Sequence, residues 1–346
     1  MATGRAVGHL QPKGASMAQP QRRIRLHVHA DPLSPNDSVT PARFARAAAR
    51  ASALRRRLRV TFGVDPVALE AGLREAEVVL AGGFDVRDLR ARAPHLRWIQ
   101  STSAGVESIA PLIPDGVVLT NASGVHTPKA GEYVMTALLM LNHGVPHFVT
   151  RQRERRWDPF YTSTIAGRTV AIVGVGRIGG EVARLARRLG LRVRGVRRGG
   201  RPHRWVERMY PPARIREALR GADFVVVAAP LTAETRGLLG AKELDCLPRH
   251  AGLVNVGRGP IVDHAALAAK LHAGELSGAV LDVFPEEPLP PDSPLWTTPN
   301  VILSPHCAID DGRVYVERCL DIFFDNLRRY LAGRPLRNVV DVRLGY

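Results

Sequence analysis

The sequence predicts an α/β protein of two units, each built on a parallel sheet with helices on both faces. Three observations predict this. At 346 residues the chain is too long for one small core and suits two domains. Short apolar runs alternate with helical stretches twice over, first from residue 24 and again from residue 168. Parallel neighbours need a long crossover, usually a helix, so this alternation points to parallel sheets. Finally, no apolar run approaches the roughly 18–20 residues that would cross a bilayer. The 45% apolar content is therefore assigned to globular cores, and no membrane partner is expected.

The elements follow in order. "IRLHVHA" (24–30) reads as a strand, and "PARFARAAARAS" (41–52) as a helix with proline in its first turn. "VTFG" (60–63) is the next strand and "DPVALEAGLREA" (65–76) the next helix. "EVVLAG" (77–82), "LRWIQST" (96–102) and "VVLTNA" (117–122) are further strands. In "KAGEYVMTALLMLNHGV" (129–145) the apolar positions Tyr133, Val134, Ala137, Leu138 and Leu141 recur at helical spacing. "RQRERRWDP" (151–159) reads as helix end and loop.

The second alternation opens with the strand "RTVAIVG" (168–174) and the helix "GGEVARLARRLG" (179–190), which ends at glycine. "LRVRGV" (191–196), "ADFVVVAAP" (222–230), "AGLVNVG" (251–257), "SGAVLDVF" (277–284) and "NVILSP" (300–305) complete a predicted six-stranded sheet. The last helix, "RVYVERCLDIFFDNLRRYLAG" (313–333), lies too far along the chain to belong obviously to that sheet.

Composition narrows the function. The net charge is +17, and only four of the 49 basic residues are lysines. The arginines are scattered through helical stretches, with few aromatics to stack bases, so no specific nucleic acid is expected as partner. Cys246, Cys307 and Cys319 are widely spaced and form no CxxC pair. That argues for a reducing, cytoplasmic compartment and against disulfides or a zinc site, and no metal ligand set is assigned. Residues 1–22 carry Gly, Pro, Gln and Arg without acid or a continuous apolar run. They read as a disordered basic tail rather than a secretory signal, with a transit peptide as a weaker alternative.

The chemistry sits at strand ends. "VGVGRIGG" (173–180) sets Gly174, Gly176 and Gly179 as GxGxxG between an apolar strand and a helix, with another strand to follow. In that context the glycines form a Rossmann turn, whose helix-start N–H groups meet a pyrophosphate. About 20 residues on, an acid normally binds the adenosine ribose. Here "RGVRRGG" (194–200) puts Arg197 and Arg198 in its place. A guanidinium attracts a 2′-phosphate by charge and paired hydrogen bonds, so NADP is expected before NAD.

Three more strand ends converge. Arg258 follows the strand in "LVNVGRGPIVD" (253–263), Asp282 and Glu287 close "AVLDVFPEEPLP" (279–290), and His306 follows "VILSP". Ligands of open α/β sheets bind outside these carboxyl ends. An arginine can grip a carboxylate, a histidine can exchange a proton near neutral pH, and a glutamate can orient the imidazole and favour its charged form. Beside a nicotinamide, that set suits reduction of a 2-keto acid.

These motifs, with "PLTAETRGLLG" (230–240), resemble the D-isomer-specific 2-hydroxyacid dehydrogenase family from about residue 60 to 340. The resemblance implies that Arg258 binds substrate and takes part in catalysis, that Glu287 partners the histidine, and that His306 is the general acid/base. It implies cofactor contacts at Gly174, Gly176, Arg177, Ile178, Gly179, Pro230, Thr235, Val256, Gly257, Arg258, Asp282 and His306, with Asp282 on the nicotinamide carboxamide. It makes "STSAGVES" (101–108) a substrate loop in which Ser103, Ala104 and Gly105 receive the carboxylate, along with Arg258 and His306.

The resemblance further implies a nucleotide domain (123–304) inserted into a flavodoxin-like substrate domain (23–122, resumed at 305–346), and a homodimer. A glyoxylate/hydroxypyruvate-type reductase is the expected member. An NAD-linked dehydrogenase of a bulkier D-2-hydroxy acid and a dinucleotide-sensing, corepressor-like scaffold remain as alternatives. "CAIDDG" after His306 departs from the family pattern, which leaves the substrate open. Trp98, Phe84 and Trp296 are candidate shapers of the pocket, while the histidines other than His306, including His126, His143 and His147, read as structural or surface.

Overall fold

The computed structural model describes residues 22–30 and 38–346. The expected tail over residues 1–22 therefore falls outside the described residues, except for Arg22. The first sheet contains β1 (Ile24–His29), β2 (Leu58–Gly63), β3 (Val78–Ala81), β4 (Trp98–Ser101) and β5 (Val118–Thr120). Its order is β2-β1-β3-β4-β5, and all neighbours run parallel. Every residue of β3 and β4 is buried, as strands of a parallel sheet covered on both faces should be.

The second sheet contains β6 (Thr169–Val173), β7 (Arg192–Val196), β8 (Arg208–Tyr210), β9 (Phe224–Val227), β10 (Gly252–Asn255), β11 (Gly278–Leu281) and β12 (Val301–Leu303). It has seven strands in the order β12-β11-β10-β9-β6-β7-β8, one more than the sequence predicts. The additional strand, β8, is a three-residue edge strand with the sequence RMY. It has no apolar run to announce it; pairing with β7 creates it.

Chain order reverses across the neighbours β6 and β9, since β7 and β8 lie on one side and β10 to β12 on the other. The loops after β6 and β9 therefore diverge and leave a crevice at the carboxyl ends.

The last helix, Tyr315–Leu331, returns to the first sheet. Its Val316, Leu320, Phe323, Phe324 and Leu327 join Leu26, Val28 and Trp98 in one core. The seven-stranded unit thus lies within the sequence of the five-stranded one. The helix Thr127–Asn142 packs Val134, Ala137, Leu138 and Leu141 against the second sheet and its first helix. It ends earlier than the predicted 145 because Gly144 takes a positive φ of 66° and a separate helix, Val145–Arg153, begins. Burial pushes the imidazoles of His27 and His264 down to about 4, with the nearby His29 adding to the effect at His27. Both are neutral packing groups, in keeping with their structural reading.

Among the described residues, no helix is long and apolar enough to cross a membrane.

Candidate active site

A cleft of about 970 Å³ opens between the two sheets at their carboxyl ends. The glycine turn forms its floor. Gly174 has φ +97°, and a Cβ there would lie 2.4 Å from the Ala229 nitrogen. A Cβ on Gly179 would lie 2.1 Å from the Gly174 carbonyl oxygen. Both positions exclude a side chain on packing grounds, and Gly179 supports the turn from behind without lining the cleft. Gly176 is different: a Cβ there meets nothing within 4 Å, because the residue faces the open cleft where the helix Arg177–Arg188 begins. That is the space a pyrophosphate needs beside free N–H groups, so the residues present fit a dinucleotide.

Arg177, Ile178, Arg197, Arg198, Pro230 and Thr235 all reach the cleft wall, as do Val256, Gly257, Arg258 and His306. Thr235 ties its loop together through its hydroxyl, which donates to the Pro230 carbonyl at 2.7 Å. Arg198 pairs with Glu234 at 3.2 Å and lies over the Tyr346 ring. For the Arg197 side chain no hydrogen bond or ion pair is found among the described residues, so it faces the cleft edge uncommitted. Arg201 adds a third guanidinium to the same wall.

Arg258 and His306 line the same cleft, with Glu287 bonded to His306 from behind. After β10, the buried Asn255 side chain accepts from the Gly257 amide at 3.0 Å and donates to the Arg258 carbonyl at 3.2 Å. These two bonds fix the backbone from which Arg258 projects. Its Nε donates to Glu107 Oε1 at 2.6 Å and its Nη1 to the Gly257 carbonyl at 2.8 Å.

His306 adopts a left-handed φ of 50°, a conformation that costs a non-glycine residue about 1–3 kcal/mol. Asp282 holds it there. The fully buried carboxylate accepts from Ser304 Oγ at 2.7 Å and from the amides of Cys307 and Ala308 at 3.2 and 3.1 Å. Burial raises its pKa, against the pull of these bonds. Asp282 therefore lies behind the cleft wall, and its Oδ2 has no partner among the described residues. Glu287 accepts from the Phe284 amide with one oxygen at 2.8 Å and holds His306 Nδ1 with the other at 2.6 Å. That bond commits Nδ1 and leaves Nε2 as the nitrogen available to a ligand.

The substrate loop faces Arg258. Asn121 donates to the Ala104 carbonyl and the Ala122 amide to the Ser103 carbonyl, both at 3.0 Å. The amides of Ala104 and Gly105 donate to nothing among the described residues. Ser103, Ala104 and Gly105 all line the cleft.

Several expectations need correction. Trp98 does not shape the pocket: it is fully buried, stacked on Phe323 with ring centroids 5.5 Å apart. Its core position follows from the return of the last helix. Phe84 packs against the other face of the first sheet, and Trp296 bonds the Pro290 carbonyl at 2.9 Å; neither reaches the cleft. His126, read as structural or surface, stands at the cleft. It lines the cleft, with Nδ1 3.0 Å from Asp310 Oδ1 and its ring against Tyr315. Glu107, Asp310, Asn338 and Tyr346 also border the cleft, and no local motif marks them in the sequence. Asn338 accepts from Arg177 at 2.7 Å, which ties the glycine turn to the chain's last segment.

The chain is similar to known proteins over most of its length. The family model described as the D-isomer-specific 2-hydroxyacid dehydrogenase NAD-binding domain matches residues 135–308. A glyoxylate/hydroxypyruvate reductase B of Yersinia pestis is 31% identical over 285 residues, covering 79% of this chain and 86% of that protein. A D-isomer-specific 2-hydroxyacid dehydrogenase from Xanthobacter autotrophicus, solved with NADPH and MES, superposes with a TM-score of 0.78 at 31% identity. It covers 94% of this chain and 100% of its own. An NADPH-dependent glyoxylate/hydroxypyruvate reductase from Sinorhizobium meliloti, solved with NADP and sulfate, gives a TM-score of 0.78 at 28% identity with the same coverage.

Proposed function

The chain belongs to the D-isomer-specific 2-hydroxyacid dehydrogenase family of oxidoreductases, and on that premise we propose that it reduces a small 2-keto acid with NADPH. The observation that carries the reading is that Arg258 and the Glu287-bound His306 line one cleft together with the glycine turn. We assign residues 123–304 to the nucleotide-binding domain and residues 23–122 and 305–346 to the substrate-binding domain.

The bound nicotinamide supplies the hydride. Arg258 holds the substrate carboxylate by charge and paired hydrogen bonds, assisted by the open amides of Ala104 and Gly105. That grip places the keto oxygen toward His306 Nε2. His306 gives its proton to this oxygen as charge develops there, and Glu287 keeps the ring oriented through its bond to Nδ1. Asp282 holds the turn carrying His306 through its bonds to the Cys307 and Ala308 amides. Approach of the two domains around the substrate would exclude water from the transfer. Relatives named glyoxylate/hydroxypyruvate reductase support a substrate with a small side chain.

Preference for NADPH rests on Arg197, Arg198 and Arg201 at the end of β7, where an adenosine ribose would otherwise meet an acid. Relatives solved with NADPH or NADP support it. The double substitution Arg197→Asp with Arg198→Ser should reduce the NADPH-over-NADH preference by about 100-fold, loss of charge-assisted bonds to a phosphate being large. The measurement is kcat/KM with each cofactor. An unchanged ratio refutes the assignment.

We further propose that the protein is a homodimer joined through the nucleotide domain. Trp157 is 97% exposed and Tyr161 91% exposed, with Phe148 and Phe160 also exposed nearby. Such an apolar group on the unit that carries the helices Thr127–Asn142 and Val145–Arg153 suits a covering partner. Light scattering should return twice the chain mass of 37.7 kDa; a monomer at micromolar concentration would contradict it.

A further inference from the structure

The arginine that the proposed reaction needs for its substrate already holds a carboxylate. Glu107 Oε1 accepts from Arg258 Nε at 2.6 Å. A carboxylate gripped side-on by a guanidinium uses Nε together with Nη2. The Nη2 atom lies over Gly105, where a Cβ would come within 1.9 Å of it. The other Glu107 oxygen lies 3.0 Å from that same point. The Glu107 carboxylate therefore stands on the side-on edge of Arg258, beside the two unbonded amides of Ala104 and Gly105. Nη1, meanwhile, is bonded to the Gly257 carbonyl. Both side chains are about one-third exposed, at 29% and 32%, so an incoming anion can reach the pair.

We infer that Glu107 is a built-in competitor of the substrate: its carboxylate occupies the arginine edge that the substrate's carboxylate must take. The inference rests on the keto-acid reading of this site. The two partners come from different sheets, Glu107 from the loop after β4 and Arg258 from the loop after β10, so the pair also spans the cleft. A ligand that takes Arg258 must break this bond, and Glu107 then returns to water. As an ion pair of this exposure adds little to folding stability, its main consequence is on ligand binding. Every carboxylate ligand binds more weakly than an unopposed Arg258 would allow. The effect falls on carboxylates at Arg258 and not on the phosphates of the dinucleotide, which lie along the glycine turn.

The test is calorimetric titration of oxamate, a monocarboxylate isostere of a small keto acid, into the NADP-loaded protein. Glu107→Gln should tighten oxamate about tenfold or more, because the ion pair to be displaced becomes a weaker bond from the guanidinium to a neutral amide oxygen. NADP affinity should stay within about twofold. Glu107→Asp, which draws the carboxylate back by one methylene, should tighten oxamate by a smaller factor and guards against a folding defect in the first variant. Glu234→Gln removes the same charge from the same cleft and should leave oxamate unaffected. With keto acids, the gain in Glu107→Gln should appear in KM.

Weaker or unchanged oxamate binding in Glu107→Gln overturns the inference and makes Glu107 a support for Arg258. Equal tightening in Glu107→Gln and Glu234→Gln also overturns it, as a general effect of charge. If the wild-type protein turns over keto acids yet Glu107→Gln shows no tightening, only the role of Glu107 is lost. If neither protein binds oxamate, the keto-acid reading falls with it.

Discussion

His306→Ala is expected to lower kcat for keto-acid reduction by about a thousandfold, within the range that positioned proton donors contribute. NADPH binding should change little, because the glycine turn and the arginines after β7 do not depend on the imidazole. The expectation follows from the geometry at Nδ1. Glu287 occupies that nitrogen at 2.6 Å, so Nε2 is the ring position left to face a substrate. Without the ring, the developing alkoxide has no donor on that side, and the loss should appear in kcat more than in KM. Stopped-flow turnover with fluorescence titration of NADPH separates the two. Wild-type turnover in His306→Ala would remove the acid/base assignment and with it the proposed role of Glu287.

Arg258→Ala should lower kcat/KM by about a thousandfold or more, with losses in both parameters. The guanidinium grips the substrate carboxylate in the ground state, which raises KM when lost. It also fixes the keto carbon for hydride attack, and misplacement of reacting atoms lowers kcat. Arg258→Lys should recover only part of the loss, since an ammonium lacks the two-pronged edge. The fold should survive either substitution, because Asn255 fixes the loop through the backbone of residues 257 and 258, not through the arginine side chain. Steady-state kinetics of the two variants check this, and a KM unchanged in Arg258→Ala would exclude it as the carboxylate grip.

The parts of this site that could be read from the sequence share one property: they follow strands that local pattern announces. Gly174, Arg197, Arg258, Asp282 and His306 each stand at or just beyond such a strand, and a parallel sheet collects its strand ends along one edge. Local pattern therefore carried their position. Asp282 shows the limit of that reasoning, since reaching a strand end did not tell that its carboxylate turns inward to hold the His306 turn.

Other residues gave no local signal. Glu107 acquires its role from Arg258, 151 positions away, and Asn338 from Arg177, 161 positions away. Contacts of that range depend on how two sheets are placed, and no periodicity records it. The sequence does not place Trp98 for the same reason: the helix that buries it returns from the far end of the chain. The edge strand β8 carries no signal in the sequence because its pairing with β7, rather than its own RMY sequence, makes it a strand.

The most direct test of the central claim is the oxidation of NADPH and of NADH by the purified protein with glyoxylate, hydroxypyruvate, pyruvate and phenylpyruvate. The predicted result is turnover with the smaller acids and a clear preference for NADPH. Binding of NADPH without turnover of any of the four would contradict the claim and favour a dinucleotide-sensing role for this cleft.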